Sequence, residues 1–172
     1  MSEKTDPGQR WGWLDRRKRA MYPGGRPGFL ARVMNRISAA QFSAGVLSPR
    51  RAVTLDVRGR RTGRVISFPL VATDYEGERY LVAMLGNDTN WVRNVRAAGG
   101  RAVLRRGRPV DVVLEDVEPA ARAPILRRYL ALAPGARPHV PVDRHAPLSE
   151  FERIAELFPV FRIAEPDAPE PS

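Results

Sequence analysis

A change of period at Ala52 constrains this chain most. Val53, Leu55 and Val57 alternate with Ala52, Thr54 and Asp56, the period of two that marks a half-buried strand. The pattern halts at the turn Gly59-Arg60-Arg61-Thr62-Gly63 and resumes over Val65–Thr73. After a hairpin over Asp74-Tyr75-Glu76-Gly77-Glu78, a third strand is predicted from Tyr80 to Leu85. A second hairpin around Gly107 joins Arg101–Arg106 to Pro109–Val117, and Val160–Ile163 supplies a last strand. Tight hairpins favour antiparallel pairing, and the β-α-β rhythm of a doubly wound sheet is missing. The expectation is an α+β domain of about six mostly antiparallel strands, curled into a barrel, with three or four flanking helices.

The helices follow from the other period. Phe29, Leu30, Val33, Met34 and Ile37 share one face of a predicted helix over about Gly28–Phe42. Asp88 or Thr89 can cap a short helix through about Ala98, which Gly99-Gly100 ends. Pro119 opens a helix to about Leu132, with Pro124 placed to split it. Ser149 and Glu152 have capping-box spacing ahead of Phe151 and Ile154. Residues 1–27, broken by Pro7, Gly8, Pro23, Gly24, Gly25 and Pro27, read as a flexible basic arm. Residues 28–164 read as the folded domain and residues 165–172 as a disordered tail.

Charge sets the partners to consider. Of a net +10, residues 1–64 hold 15 Lys/Arg against 4 Asp/Glu, and residues 65–172 hold 14 against 15. A basic first third suits an acidic small molecule, an anionic membrane surface or nucleic acid. Charges at Asp15, Arg16, Arg17, Lys18 and Arg19 interrupt any signal peptide, and no apolar run is long enough to span a membrane. The expected location is the cytoplasm, with membrane contact through the arm, where Trp11, Trp13 and Tyr22 stand among the charges. With no cysteine there is no thiolate metal site.

Three features are candidates for chemistry. In the Gly59–Gly63 turn, two glycines free the backbone to present N–H groups. Thr62 adds a hydroxyl, and Arg60, Arg61 and Arg64 set guanidinium forks around one point, which suits phosphate or carboxylate. The competing reading is a solvated connection in an arginine-rich chain. The second feature is Gly86-Asn87-Asp88-Thr89-Asn90-Trp91, where a strand runs into a helix N-terminus. Asn87, Asn90 and Asn94 offer amides there, and Trp91 either stacks on a planar ring or anchors the helix in the core. The third is the Pro-rich loop holding His139, Asp143 and His145. Its spacing supports metal binding only weakly; His139 is either a candidate proton donor or an ordinary loop histidine, and His145 reads as the latter. Hydrolase and dinucleotide signatures are absent.

The order of these pieces resembles the deazaflavin-dependent nitroreductase and quinone reductase family, split β-barrel proteins that use coenzyme F-420. The likeness rests on Gly59-Arg60-Arg61-Thr62-Gly63-Arg64, on Pro69-Leu70, on Leu81 to Asn87, and on Asn90-Trp91-Val92-Arg93-Asn94-Val95. The resemblance implies that Arg60, Arg61, Thr62 and Gly63 hold the coenzyme's phosphate and acidic tail. It implies that Pro69 and Leu70 lie along the deazaflavin ring. Ala83, Met84, Leu85, Gly86, Asn87 and Trp91 would also face the cofactor.

On that resemblance the chain is expected to pass a hydride from the reduced deazaflavin coenzyme to a quinone, a nitro compound or another electron-poor acceptor. His139 or a solvent molecule would supply the proton. Two alternatives stand beside it. One is a non-catalytic split barrel that binds FMN, a haem-type pigment or a fatty acid. The other is a basic module for membrane surfaces or nucleic acid, with nucleic acid the less favoured partner. Monomer and homodimer are both compatible with the sequence.

Overall fold

The computed structural model describes residues 51–166. The chain divides into two compact units, Met1–Val33 and Met34–Ser172, and every described residue belongs to the second. The expected arm over residues 1–27 and the expected helix over Gly28–Phe42 lie outside the described residues. So do the last six residues, 167–172, of the expected tail.

Among the described residues six strands form the sheet: β1 (Ala52–Arg58), β2 (Val65–Tyr75), β3 (Glu78–Val82), β4 (Arg101–Arg106), β5 (Arg108–Asp116) and β6 (Val160–Ala164). They close into a barrel in the order β1-β2-β3-β6-β5-β4, with every pair antiparallel. The helices are α1 (Asn90–Ala97), α2 (Pro119–Leu132) and α3 (Leu148–Ile154), with a 3-10 turn over Pro134–His139. The expected α+β barrel is the fold observed.

Alternation places one core inside the barrel. Val53, Leu55 and Val57 of β1 meet Phe68, Leu81, Leu104, Leu114 and Phe161 there. Trp91, Val92 and Val95 of α1 join the same cluster, so α1 closes one end of the barrel. The second core lies outside the barrel wall, where Val71, Val82 and Val160 pack against Leu126, Leu130, Phe151 and Phe158. Two apolar layers thus share the sheet between them, which is why β2 and β3 show buried residues on both faces.

Three local expectations are corrected. The third strand ends at Val82, not Leu85, because Pro159, next in register opposite Ala83, accepts the Ala83 N–H at 2.9 Å but has no N–H to return, and the Gly86 N–H turns back to Ala83 O at 3.0 Å. Pro124 does not split α2, which runs through it. A proline there removes only the bond that would reach the Ala120 carbonyl, and burial of Ile125, Leu126 and Leu130 holds the helix together. The Ser149–Glu152 capping box does not form. Pro147 precedes the helix at φ −62°, and its carbonyl accepts the Glu150 N–H at 3.0 Å, so Ser149 already lies in the first turn.

Candidate functional site

The antiparallel order sorts the loops between the two barrel ends. One end collects the exit of β1, the start of β2, the exit of β3 and the exit of β5. It therefore carries the Gly59–Gly63 turn, the Ala83–Asn87 loop and α1 together.

The turn is built by the two glycines. Arg58 pairs with Val65, after which the Gly59 N–H bonds Arg64 O at 2.7 Å and the Gly63 N–H bonds Gly59 O at 2.8 Å. Gly63 sits at φ +67°, the left-handed region that favours glycine. A Cβ on Gly59 would fall 2.9 Å from Ile66 Cδ1 and 3.1 Å from the Arg64 carbonyl, so glycine leaves room for Ile66 under the turn. The Thr62 hydroxyl accepts from the Arg64 N–H at 3.4 Å. Arg60, Arg61, Thr62, Gly63 and Arg64 are exposed.

Asn94 ties this turn to α1. Its Oδ1 accepts the Arg60 N–H at 3.2 Å and Arg60 Nη1 at 3.0 Å. Asn94 is only 2 % exposed. The amide pattern Asn87, Asn90, Asn94 marked this helix, but sequence alone gave no signal that Asn94 reaches the turn, since the two residues are far apart along the chain.

The Ala83–Asn87 loop is fixed from the other side. Asn87 Nδ2 donates to the Glu156 carbonyl at 3.0 Å, and Asn87 Oδ1 accepts from Arg96 Nη1 at 3.3 Å. Arg96 also places Nε at 3.0 Å and Nη2 at 2.7 Å from Asp116 Oδ2. The other Asp116 oxygen accepts from Arg122, a buried guanidinium, at 2.9 Å. The Thr89 hydroxyl donates to the Gly86 carbonyl and so does not cap the helix it precedes. Asp116 and Glu115 are the acceptors of these guanidinium clamps, Glu115 meeting Arg162 at 2.6 Å.

The other expected residues fall as follows. Ala83 is buried in the barrel core, Met84 is half-buried and Leu85 is 46 % exposed. Trp91 is buried and tilted against Phe161, ring centroids 5.4 Å apart, so its ring serves the core. Leu70 packs inward and Pro69 lies on the opposite face of β2, across from Thr54. The structure does not bring His139 to the turn. It ends the 3-10 segment, which Arg137 fixes to the Leu130 carbonyl at the last turn of α2. That helix runs away from the turn, its Arg128 reaching Asp74 at the far end of β2. A groove of about 600 Å³ lies elsewhere, between α2, α3 and the barrel wall, lined by Tyr75, Tyr80, Glu115, Pro124, Leu148 and Arg162. None of the expected site residues lines it. No helix among the described residues is long and apolar enough to cross a membrane.

A closed antiparallel barrel with helices on its wall, bearing a Gly-Arg-Arg-Thr-Gly turn at the end that α1 closes, is an α+β split β-barrel. The family model for F420H(2)-dependent quinone reductases matches residues 33–148, and the chain belongs to that family. It is therefore an oxidoreductase whose cofactor is coenzyme F420. Among solved structures, it is similar to an F420-H2 dependent reductase, FDR-A, at 21 % identity and TM-score 0.46, over 66 % of this chain and 94 % of that one. It is also similar to an F420 reductase at 13 % identity and TM-score 0.43, over 70 % and 90 %. A heme binding protein from Mycobacterium smegmatis matches at 14 % identity and TM-score 0.46, over 73 % and 50 %. No curated protein matches the chain.

Proposed function

We propose that the chain reduces a quinone at the barrel end where the Gly59–Gly63 turn, the Ala83–Asn87 loop and α1 meet. One observation carries this reading. Arg61 and Arg64 stand exposed on a turn that is fixed from beneath, and their guanidinium groups take no part in the hydrogen bonds and ion pairs among the described residues. Uncommitted cations on a rigid turn suit the phosphate and acidic tail of the coenzyme. Each charge-assisted contact contributes on the order of 1.5–3 kcal/mol.

Thr62 and the turn's backbone complete the anion side. Pro69, on the outer wall of β2, and Met84, Leu85 and Gly86 are the residues assigned to the ring side. When bound there, the reduced coenzyme would supply a hydride. The exposed Leu85 beside the half-buried Met84 offers apolar surface on which a quinone ring can rest and lose water. The quinone takes up the hydride and one proton and leaves as the hydroquinone. With His139 remote from the turn, the proton is assigned to water at this open end. His139→Ala is expected to keep kcat within about twofold, against the 10²-fold or greater loss of an essential general acid.

The test is a fluorescence titration of the purified full chain with reduced and oxidised coenzyme, followed by turnover with a short-chain naphthoquinone. Binding below tens of micromolar with quinone-dependent oxidation is expected. No binding in that range sinks the reading.

A further inference from the structure

The otherwise apolar inner face of α1 holds one polar side chain. Asn94 lies among Trp91, Val92 and Val95, all buried, and is itself 2 % exposed. A buried amide is tolerated when it is hydrogen-bonded. This one spends its oxygen entirely on Arg60, taking the backbone N–H at 3.2 Å and the guanidinium at 3.0 Å. Both donors come from a single residue of the turn, so turn and helix are held together at the backbone and the side chain at once.

This bond divides labour among the turn's arginines. The Arg60 N–H and one edge of its guanidinium face α1. Arg61 and Arg64 are exposed and uncommitted among the described residues. We propose that Asn94 is a positioning residue, which holds the Gly59–Gly63 turn on α1 through Arg60 so that Arg61 and Arg64, and not Arg60, meet the anion. The proposal rests on the reading of this turn as the anion site of the coenzyme.

A direct ion contact and a positioning contact differ in how salt affects them. Losing a cation that touches the anion weakens binding and makes it less sensitive to salt, because screening acts on the charges that remain. Losing a neutral positioning group weakens binding and leaves the salt dependence as it was.

The experiment measures Kd for the coenzyme, and for inorganic pyrophosphate, from 20 mM to 500 mM salt, on the full chain. The variants are Arg60→Gln, Arg61→Gln, Arg64→Gln, Asn94→Leu and Asn94→Asp. Arg61→Gln and Arg64→Gln are expected to weaken binding about tenfold each and to flatten the salt dependence. Asn94→Leu is expected to weaken it about tenfold with the salt dependence unchanged. Asn94→Asp keeps an acceptor for both Arg60 donors and should bind within about threefold of the unmodified chain. Hydrogen exchange at the Arg60 amide gives a readout free of any ligand. Protection is expected in the unmodified chain and in Asn94→Asp, and loss of it in Asn94→Leu. Should Asn94→Leu not fold, Asn94→Ser takes its place in both measurements.

Unchanged binding in Asn94→Leu overturns the proposal. So does a salt dependence flattened as much by Arg60→Gln as by Arg61→Gln. If the unmodified chain binds neither coenzyme nor pyrophosphate, the functional reading and the roles of Arg61 and Arg64 fall together. A fast-exchanging Arg60 amide in the unmodified chain overturns the Asn94 contact separately.

Discussion

Ile66 occupies the space that Gly59 leaves empty. A Cβ at residue 59 would meet Ile66 Cδ1 at 2.9 Å and the Arg64 carbonyl at 3.1 Å. Gly59→Ala is therefore expected to destabilise the fold by about 1–3 kcal/mol, the range for overpacking a filled core. Part of that loss should return in the double variant Gly59→Ala/Ile66→Val, which removes the offending methyl. Urea unfolding of the three chains measures both effects. Equal stability of the single and double variants would mean that the Arg64 carbonyl is the stronger obstacle.

Thr73 presents the opposite case. Its hydroxyl is fully buried on β2 and has no hydrogen-bond partner among the described residues. Thr73→Val replaces the hydroxyl by a methyl of similar size and removes the cost of leaving it unbonded. The variant is expected to be more stable by about 1 kcal/mol. A lower unfolding midpoint than the unmodified chain contradicts this.

Burial sets the alkaline limit. Tyr129 is buried in α2, and desolvation raises its phenol well above the ordinary value of 10.0. Below pH 10 the folded and unfolded chains both hold this proton, and its contribution is fully present. Above pH 10 only the unfolded chain releases it, so stability falls as pH rises towards the folded value. Tyr129→Phe should flatten the fall of the unfolding midpoint between pH 9.5 and 11. Absorbance at 295 nm should show one phenol that titrates only on unfolding.

Asn87 ties its loop down. Its Nδ2 donates to Glu156 O and its Oδ1 accepts from Arg96. Asn87→Ala is expected to cost about 1 kcal/mol and lower Tm by about 2–4 °C. Coenzyme affinity should change by less than about threefold. An unchanged Tm with affinity lost tenfold would place the amide on the coenzyme instead.

The barrel was legible because its strands obey simple alternation. Val53, Leu55 and Val57 announce an inner face, and Gly59 and Gly63 announce a turn. The ends of elements were harder, since they depend on partners distant in sequence. Nothing near Leu85 says that Pro159 will end β3 at Val82. Nothing local says that Pro124 will be tolerated, which burial of its helical neighbours decides. The site was readable as a turn and a helix but not as a joined pair, because the Asn94–Arg60 contact links residues that only the closed barrel brings together. Trp91 had two readings from sequence, and its tilted contact with Phe161 selects the core.

The strand order also governs how the chain can be made. β6 comes last in sequence among the described strands, yet it sits between β3 and β5. Until residues Val160–Ala164 leave the ribosome, β3 and β5 must both wait with open hydrogen-bonding edges. Closure therefore waits on Val160–Ala164 and joins residues as distant as Tyr80 and Arg162. Contacts of such long sequence separation slow folding. A nascent chain stalled before residue 160 carries two sticky edges at once, so translation speed through α3 bears directly on how much protein escapes aggregation.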